Sequence, residues 1–332
     1  MRFTLALLVA FVLGGCDLYG PDPAPAGVHV PVPEGFDELP VPPQNPALAE
    51  RIRLGERLFF DPILSGNQTI SCGSCHLPER AFADLTRRSI GIQGRVGLRN
   101  APSLLNTAYR TSLFWDGGAL FLESQALVPL EDENEMNLPI DEALRRLSEH
   151  HDYPALFASA FDGEAPSVRT LSYALAAYQR TLVSAPIRLD RYRAGERNAL
   201  TAPEQRGLAL FETHCSSCHA GPLLTTEGFA NNGVSVTDED PGRQRITHDP
   251  ADRGVFRIPS LRGLARTAPY FHDGRFFSLE EVVGYYVAGG DGGAGQDARI
   301  QPLALSAEDQ ADLIRFLQTL DDEAVEVDYF SD

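Results

Sequence analysis

The sequence predicts a mostly α-helical protein built from two related domains. Three observations support this prediction. Apolar residues recur at helical spacing in several stretches, whereas alternating strand patterns are rare. A five-residue motif occurs twice, and blocks of sequence downstream of it repeat at a fixed offset. The chain has 332 residues, of which 43% are apolar, which is enough for two domains of ordinary size.

The repeated motif is C-x-x-C-H, which spans Cys72 to His76 and returns from Cys215 to His219. This pattern attaches c-type haem, because the two thiols form thioethers with the haem vinyl groups and the histidine binds the iron. The alternative is a zinc-binding or redox C-x-x-C with a chance histidine behind it. With five cysteines and eight histidines in the chain, two accidental copies are negligible. The predicted haem-binding residues are Cys72, Cys75, His76, Cys215, Cys218 and His219.

An internal duplication links the two motifs. Pro102-Ser103-Leu104 and Phe114-Trp115-Asp116-Gly117 match Pro259-Ser260-Leu261 and Phe271-His272-Asp273-Gly274, at an offset of 157 residues. The motifs themselves are offset by 143 residues, so the loops that follow them differ in length. Two cytochrome c-like haem domains related by gene duplication explain this pattern.

Residues 1–16 are predicted to be a bacterial export signal. Arg2 is the only early charge, and the apolar run behind it is too short to span a bilayer as a mature helix. Leu13-Gly14-Gly15-Cys16 resembles a lipobox, in which Cys16 becomes the lipidated first residue; ordinary signal-peptidase cleavage and a free Cys16 are the alternatives. Because bacteria attach c-type haem outside the cytoplasm, we expect a periplasmic protein that touches a membrane only through a lipid anchor.

The rest of the chain divides into four predicted segments. Residues 17–46 hold nine prolines and few apolar residues, which predicts an extended tether. Residues 47–190 form the N-terminal haem domain and residues 191–322 the C-terminal haem domain. Residues 323–332 form an acidic tail.

Amphipathic stripes predict the main helices in order. The first begins near Ala47 and ends at Pro62, and two more follow at 141–150 and 167–184. Thr201-Ala202-Pro203-Glu204 is a helix start, with an N-cap residue, a proline in the first turn and a capping-box glutamate. The last helix is predicted from Ser306 to Leu320.

Charge and cysteine content exclude some functions. The net charge of −18 argues against a nucleic-acid partner and gives no attraction to anionic lipid. Four of the five cysteines belong to the haem motifs and the fifth is Cys16, so no pair remains for a structural disulfide.

The two halves carry different residues at matched positions, which indicates divided labour. Trp115 pairs with His272, and Pro129 pairs with Tyr286. The second half therefore offers a possible oxygen ligand for iron where the first half has only a proline ring.

Over residues 47–322 the chain resembles the bacterial di-haem cytochrome c peroxidases, and within them the MauG-like branch. Besides both haem motifs, the resemblance rests on Arg99-Asn100-Ala101-Pro102-Ser103-Leu104, Phe114-Trp115-Asp116-Gly117, Leu122-Glu123-Ser124-Gln125, Glu135-Met136, Ala268-Pro269-Tyr270-Phe271-His272-Asp273-Gly274 and Leu279-Glu280-Glu281-Val282-Val283. It implies that the N-terminal haem reacts with hydrogen peroxide and that the C-terminal haem stores or relays electrons. It also implies that a tryptophan lies between the two haems.

The resemblance gives catalytic roles to three residues. Trp115, the only tryptophan in the chain, matches the inter-haem tryptophan; an ordinary core aromatic is the alternative. Gln125 and Glu135 match the distal glutamine and glutamate over the peroxide-reactive haem. A carboxylate there can take the proton from bound peroxide and return it to the departing oxygen. The alternative for Glu135 is one more acid in an acidic run.

The second haem needs a sixth ligand or an open site. The standard peroxidases have a methionine at the position that aligns with Tyr286, whereas the MauG-like branch has tyrosine. The mature chain contains a single methionine, Met136, which lies beside Glu135, so methionine ligation is not expected. The resemblance thus implies Tyr286 as an iron ligand, with Tyr285 or an ordinary packed tyrosine as alternatives. An anionic oxygen ligand favours ferric and higher states of iron.

The sequence departs from the standard peroxidases in two places. Many of them keep a distal histidine on the first haem, in the loop after the motif. Between His76 and His150 this chain has no histidine, so we predict a first haem open to peroxide in the all-ferric state. Gly118 stands where the family often has arginine, and Arg275 fills the matched place in the second half.

A calcium ion between the haem domains is also implied by the resemblance. Asn100, Thr267 and Pro269 match the positions that hold it, partly through backbone carbonyls. Oxygen ligands of this kind suit calcium.

The resemblance therefore implies a di-haem peroxidase. MauG-like oxidation of a partner protein is favoured, because of Tyr286 and the missing histidine. An ordinary cytochrome c peroxidase, which takes electrons from a small cytochrome c or a cupredoxin, is the first alternative. A non-catalytic di-haem electron carrier and a haem-based sensor are the others.

Overall fold

The structure, a computed structural model, describes residues 27–321 and is mostly helical. The helices are α1 Ala49–Phe60, α2 Leu122–Gln125, α3 Val128–Glu131, α4 Ile140–Glu149, α5 Tyr153–Ala160, α6 Val168–Thr181, α7 Arg188–Arg193, α8 Ala202–His214, α9 Gln244–Thr247, α10 Leu279–Val287 and α11 Ala307–Gln318. Within residues 27–321, the paired strands are β1 Phe229–Ala230 and β2 Phe256–Arg257, which run antiparallel. The predicted fold class is confirmed. The predicted export signal with Cys16, residues 17–26 of the tether and the acidic tail lie outside the described residues.

Local capping signals set the helix ends. The N–H of Thr201 donates to Glu204 Oε2 at 2.7 Å, as the predicted capping box requires. Ser306 Oγ likewise accepts from the N–H of Asp309 at 3.1 Å and starts α11. Helix α1 ends at Phe60, because Asp61 takes the extended backbone that a residue before proline prefers.

Each half is built around one close helix crossing. Helix α1 crosses α6 in the first half, and α8 crosses α11 in the second. A glycine lies at each crossing: a Cβ on Gly55 would be 1.9 Å from the carbonyl oxygen of Ala174, and one on Gly207 would be 2.1 Å from that of Asp312. The two glycines match in the duplicated sequence, as Gly55…Leu58-Phe59 and Gly207…Leu210-Phe211. Their repetition has a packing cause, since only a residue without a side chain lets these backbones approach.

We expect Gly55→Ala to lower the free energy of unfolding by about 1–3 kcal/mol, because the added methyl forces the α1 and α6 backbones apart. Chemical denaturation of the holoprotein measures this loss. Gly284→Ala is the control, since a Cβ there meets no atom within 4 Å and alanine favours a helix. Equal effects at the two positions would contradict the crossing as the cause.

The apolar core has two main parts. The first draws on buried residues from Ala47 to Leu182, and the second on residues from Ile187 to Leu320. Ile187 and Leu189 pack in the second core, although the sequence assigned them to the N-terminal domain. The predicted boundary between residues 190 and 191 stays a prediction.

The described part of the predicted tether, residues 27–46, has no helix or strand but is packed against the body. Phe36 meets the ring of Tyr109 edge-on at 5.4 Å, and the Arg262 guanidinium lies 4.5 Å from the Phe36 ring centre. Asn45 is 1% exposed and donates to the carbonyl of Tyr173 at 3.0 Å. The segment is extended, as its prolines predict, but these contacts hold residues 27–46 on both halves rather than leaving them as a free spacer.

Candidate active site

The first haem motif follows α1 and forms a tight turn. The N–H groups of Cys75 and His76 both donate to the carbonyl of Cys72, at 3.2 and 3.0 Å. His76 Nδ1 lies 2.8 Å from the carbonyl of Phe82, an arrangement in which Nδ1–H donates. Nε2 then keeps its lone pair, which is the atom a haem iron would need.

The second motif is built in the same way at the end of α8. The N–H groups of Cys218 and His219 donate to the carbonyl of Cys215, at 3.1 and 2.9 Å. His219 Nδ1 lies 3.2 Å from the carbonyl of Leu224. Removal from water lowers the pKa of His76, and lowers that of His219 to about 4. Both imidazoles are therefore neutral at pH 7, which is the form that binds a metal.

The motif cysteines are not paired in disulfides. Burial raises the pKa of Cys72, Cys75 and Cys215 to about 12. Within residues 27–321, the one group of three or more metal-ligating side chains is His150, His151 and Asp152, away from either motif. Zinc needs four ligands and holds cysteine as thiolate, so the thiols fit thioether attachment better than a zinc site.

Glu135 faces the first motif. Its negative charge adds to the raised pKa of Cys72 and of Cys75. Glu135 is exposed at the surface, but nearby protein atoms partly desolvate its carboxyl group. This desolvation and the nearby Asp132 charge raise its pKa to about 7. A carboxyl group poised near pH 7 can both take and give a proton.

The backbone of Glu135 is fixed by a neighbouring loop that contains Gly91 and Ile92. The N–H of Ile92 donates to the Glu135 carbonyl at 2.8 Å. Next to it, a Cβ on Gly91 would lie 2.0 Å from the carbonyl of Asn134, so the two loops touch without an intervening side chain. Glu135 is thereby held in place although it lies outside any helix.

Gln125 is the last residue of α2, and its amide oxygen has no hydrogen-bond partner. Oε1 is buried, so the missing partner carries a cost in free energy unless a bound group supplies it. This is the position that the sequence assigns to the distal glutamine. An orphaned buried polar atom here fits a bound haem with an oxygen ligand.

Trp115 lies at the contact between the two halves and is 9% exposed. Its indole N–H donates to the carbonyl of Asn100 at 2.8 Å. The ring meets His272 edge-on, with ring centres 6.5 Å apart, and the Trp115 carbonyl accepts from the N–H of Arg257 at 2.7 Å. Trp115 and His272, matched positions in the duplicated sequence, are thus direct neighbours across the two halves.

Tyr285 and Tyr286 are adjacent on α10 but have different surroundings. The Tyr285 hydroxyl donates to the carbonyl of Asn232 at 2.9 Å and so binds the loop that contains Asn232. Tyr286 lies close enough to Cys215 and Cys218 for thiolates there to affect its phenol. Its pKa is raised first by burial and then by Tyr285, Cys218 and Cys215, while a hydrogen bond from the Asn232 side chain opposes the shift. Of the two tyrosines, Tyr286 is the one that faces the second motif.

The residues of the predicted calcium site lie near the same contact between the halves. The N–H of Asn100 donates to the carbonyl of His272 at 2.8 Å, which brings it close to the segment that contains Thr267 and Pro269. Thr267 Oγ1 donates to the carbonyl of Leu264 at 3.1 Å. All donors at these three positions are neutral oxygens, which is compatible with calcium but adds no charge to attract it.

Sequence reasoning did not identify Arg257. The residue is 5% exposed, and its Nη1 has no hydrogen-bond partner. Burial, and then the charge of Arg110, lower its pKa to about 9. Arg110 itself is paired with Glu227 at 3.1 Å. The Arg257 Nε donates to the carbonyl of Phe114 at 3.2 Å, and the unpartnered Nη1 fits an anionic group such as a haem propionate. The sequence does contain a signal for Arg257, because the offset of 157 residues matches it with Asn100 in the first half.

Taken together, the residues present fit two haems. Both motifs carry cysteines that are not paired in disulfides and a histidine with a free Nε2, and each half has a buried polar atom that lacks a partner: Gln125 Oε1 and Arg257 Nη1.

Comparison with known proteins agrees with this geometry. Residues 49–198 match the family model described as di-haem cytochrome c peroxidase, and residues 204–321 match the one described as cytochrome c. The chain is 38% identical over 290 residues to the methylamine utilization protein MauG of Methylorubrum extorquens, which covers 86% of this chain and 82% of that protein.

Two further relatives show the same relationship. The cytochrome-c peroxidase IdrP1 of a Pseudomonas species is 36% identical over 329 residues, covering 89% of this chain and 86% of that one. The crystal structure of a MauG-like protein associated with microbial copper homeostasis superposes with a TM-score of 0.84 at 36% identity, over 90% of this chain and 97% of that chain. Within residues 27–321, no helix is long and apolar enough to cross a membrane.

Proposed function

Because the chain belongs to the family of di-haem cytochrome c peroxidases and MauG proteins, it is a peroxidase-type enzyme with two haem c groups, and we propose how it uses them. In the proposed reaction, hydrogen peroxide takes up two protons and two electrons and becomes two waters at the N-terminal site. The oxidising equivalents are shared through Trp115 with the C-terminal site and are finally used to oxidise a partner protein, as in the MauG-like branch. The Glu135 carboxylate that faces the first motif is the observation that carries the proposal.

Glu135 would move the proton in this reaction. Haem iron supplies the redox chemistry when bound. The Glu135 carboxylate accepts the proton from the peroxide oxygen that would bind the iron and gives it to the other peroxide oxygen. The O–O bond then breaks with water as the leaving group. The unpartnered amide oxygen of Gln125 orients the bound oxygen ligand. The sequence has no histidine between His76 and His150, and His150 itself packs on His151 and Tyr153.

We expect the rate of the peroxide reaction to rise as the pH increases through about 7. The raised pKa of Glu135 means that its carboxylate, the form that accepts a proton, becomes the major form only above that pH. Because the adjacent Asp132 carries a negative charge, it helps to keep Glu135 protonated at lower pH. Stopped-flow rates with peroxide from pH 5.5 to 8.5 measure the profile. A flat profile, or one that Glu135→Gln leaves unchanged, would contradict this role.

Tyr286 is proposed as the sixth ligand of the second haem iron. Its position opposite Cys215 and Cys218 supports this role, and the loop contact of Tyr285 makes that residue the weaker candidate. An anionic oxygen ligand would stabilise higher oxidation states of the second haem iron and let it hold one oxidising equivalent.

We expect Tyr286→Phe to raise the reduction potential of the second haem, on the order of 0.1 V, since axial ligands tune haem potentials over about 0.8 V. Potentiometric titration followed by visible spectra measures the shift. Tyr285→Phe removes a hydroxyl one residue away and should leave the potential almost unchanged. A shift only in the Tyr285 variant would reassign the ligand.

The source of electrons separates the MauG-like proposal from the ordinary peroxidase. Hydrogen peroxide added to the diferric holoprotein should produce a long-lived oxidised state that involves both haems, visible in the near-infrared. Prompt turnover only after one-electron reduction, with a small cytochrome c or cupredoxin as donor, would support the ordinary peroxidase instead. The absence of a histidine between His76 and His150 favours the first outcome.

We also propose that one calcium ion joins the two haem domains through Asn100, Thr267 and Pro269. The proposal is supported by the approach of Asn100 to the His272 backbone. Metal analysis of protein purified without chelator, before and after dialysis against chelator, tests it.

We propose a periplasmic location with a lipid anchor at Cys16. The support is the lipobox-like Leu13-Gly14-Gly15-Cys16 and the need to attach haem outside the cytoplasm. If residues 27–46 stay on the body, at most residues 17–26 separate the anchor from the enzyme, which holds it close to the membrane. Membrane fractionation of the wild-type protein and of Cys16→Ser tests the anchor.

A further inference from the structure

The second half contains an insertion that the duplication alone does not explain. Between the haem motif and the Pro-Ser-Leu block, the offset between the halves grows from 143 to 157 residues, so the second half carries 14 extra residues there. In the structure, the segment between β1 and β2 contains α9, and the two strands pair at its ends. We call residues 239–255, which form part of this longer segment, the insertion loop.

The insertion loop reaches across to the first half and binds the residue after Trp115. Asp116 is 0% exposed, and its Oδ2 accepts from Arg245 Nη2 at 2.6 Å. The carbonyl of Asp116 accepts from Arg243 Nη1 at 3.2 Å. A fully buried carboxylate needs such partners, because an unpaired buried charge is costly.

The loop also fills the place where the family often has an arginine. A Cβ on Gly118 would lie 3.0 Å from Ile246 Cδ1 and 3.1 Å from Asp116 Oδ1, so a side chain at position 118 would crowd both of these groups. Arg245, adjacent to Ile246, brings a guanidinium to the same turn from the other half of the chain. The glycine and the loop arginine are therefore complementary.

Both ends of the insertion loop are tied to the same turn. At its start, Asp240 forms a bidentate pair with Arg99, at 2.8 and 2.5 Å, and Arg99 also donates to Asp116 at 2.8 Å. Just past its end, the N–H of Arg257 donates to the Trp115 carbonyl at 2.7 Å. Arg99 and Arg245 thus pair with the carboxylates of Asp116 and Asp240 around the turn that presents the indole.

We infer that the insertion loop is a cross-domain clamp that holds Trp115 in its orientation between the two halves, with Arg245 as the positioning residue. The purpose of the clamp, which is to keep the inter-haem path short and fixed, rests on the proposed function. The orientation of the indole ring that the clamp sets can be measured without turnover.

The single tryptophan makes the test direct, because every tryptophan band in an ultraviolet resonance Raman spectrum of the holoprotein comes from Trp115. These bands report the side-chain torsion and the strength of the indole N–H hydrogen bond. Arg245→Gln should shift and broaden them, and Arg245→Lys should restore part of the wild-type spectrum. Arg253→Gln is the matched control, since Arg253 lies in the same loop but pairs with the exposed Asp238.

A kinetic measurement connects the orientation to its use. After peroxide is mixed with the diferric holoprotein, oxidation of the second haem should be at least about tenfold slower in Arg245→Gln, with haem content and both potentials unchanged. If that variant does not fold, Arg243→Gln removes the weaker contact to Asp116 and should show smaller changes in both readouts.

The outcomes are distinct. Unchanged tryptophan bands and an unchanged rate in a folded Arg245→Gln would overturn the clamp, and so would a loss of thermal stability alone. Altered bands with an unchanged rate would support the clamp, but the same unchanged rate in Trp115→Phe would show that the inter-haem role of the indole is wrong.

Discussion

Replacing Glu135 with glutamine should lower peroxide turnover by about 10²–10⁴-fold, the usual contribution of a positioned general acid–base group. Glutamine keeps the size and hydrogen-bonding reach of the side chain but cannot accept a proton from peroxide or return it. The pKa of about 7 makes the carboxyl suited to both steps at neutral pH. Steady-state assays with a chemical electron donor measure the loss.

Glu133→Gln is the matched control for this substitution. Glu133 is an exposed acid two residues away, and its contact to Arg95 uses the backbone carbonyl, which the substitution leaves in place. It removes the same charge from the same loop, so turnover should change little. If Glu135→Gln kept wild-type turnover with both haems bound, another group would move the proton and the role proposed for Glu135 would be wrong.

Replacing Trp115 with phenylalanine should slow the oxidation of the second haem at least about tenfold, equal to about 1.4 kcal/mol in the barrier. Phenylalanine retains an aromatic ring next to His272 but is much harder to oxidise than indole. It also leaves the Asn100 carbonyl without its 2.8 Å donor, an additional cost of about 1–3 kcal/mol for a buried acceptor. Stopped-flow spectra after peroxide addition to the diferric protein measure the rate.

Two controls separate this effect from a general loss of structure. Tyr109→Phe removes a ring hydroxyl that donates to the carbonyl of Asp37 in the N-terminal segment, and it should not change the rate. The initial reaction of peroxide with the first haem should also survive in Trp115→Phe, since Glu135 and Gln125 are untouched. A wild-type rate at the second haem would mean that electrons cross by another path.

Several features could be inferred from the sequence because their causes are local. Each C-x-x-C-H motif is five consecutive residues whose turn closes through Cys72 or Cys215, so the pattern alone identified it. The start of α8 is equally local, since Thr201 and Glu204 are three residues apart. The helix-crossing glycines Gly55 and Gly207 were visible as a repeat, although their packing role required the structure.

Other features depend on residues that are distant in sequence. The sequence left Tyr285 and Tyr286 as alternatives, and only the tertiary structure distinguishes their surroundings: Tyr285 donates to the Asn232 carbonyl, whereas Tyr286 lies close to Cys215 and Cys218. It predicted an extended tether for residues 17–46. In the structure, Phe36 and Asn45 contact residues of the two halves that are distant in sequence, so no local pattern could predict these contacts.

By itself, the sequence determined the mostly helical class, the duplication and the two haem attachment motifs, because covalent attachment and helix capping need only neighbouring residues. The tertiary structure alone decided the pKa of Glu135, the contact of Trp115 with His272 and the pairing of Arg245 with Asp116, which are 129 residues apart. The Trp115 contact and the Arg245 pair depend on segments that meet only when the two halves fold against each other, and the pKa of Glu135 depends on burial in the folded protein and on the nearby charge of Asp132.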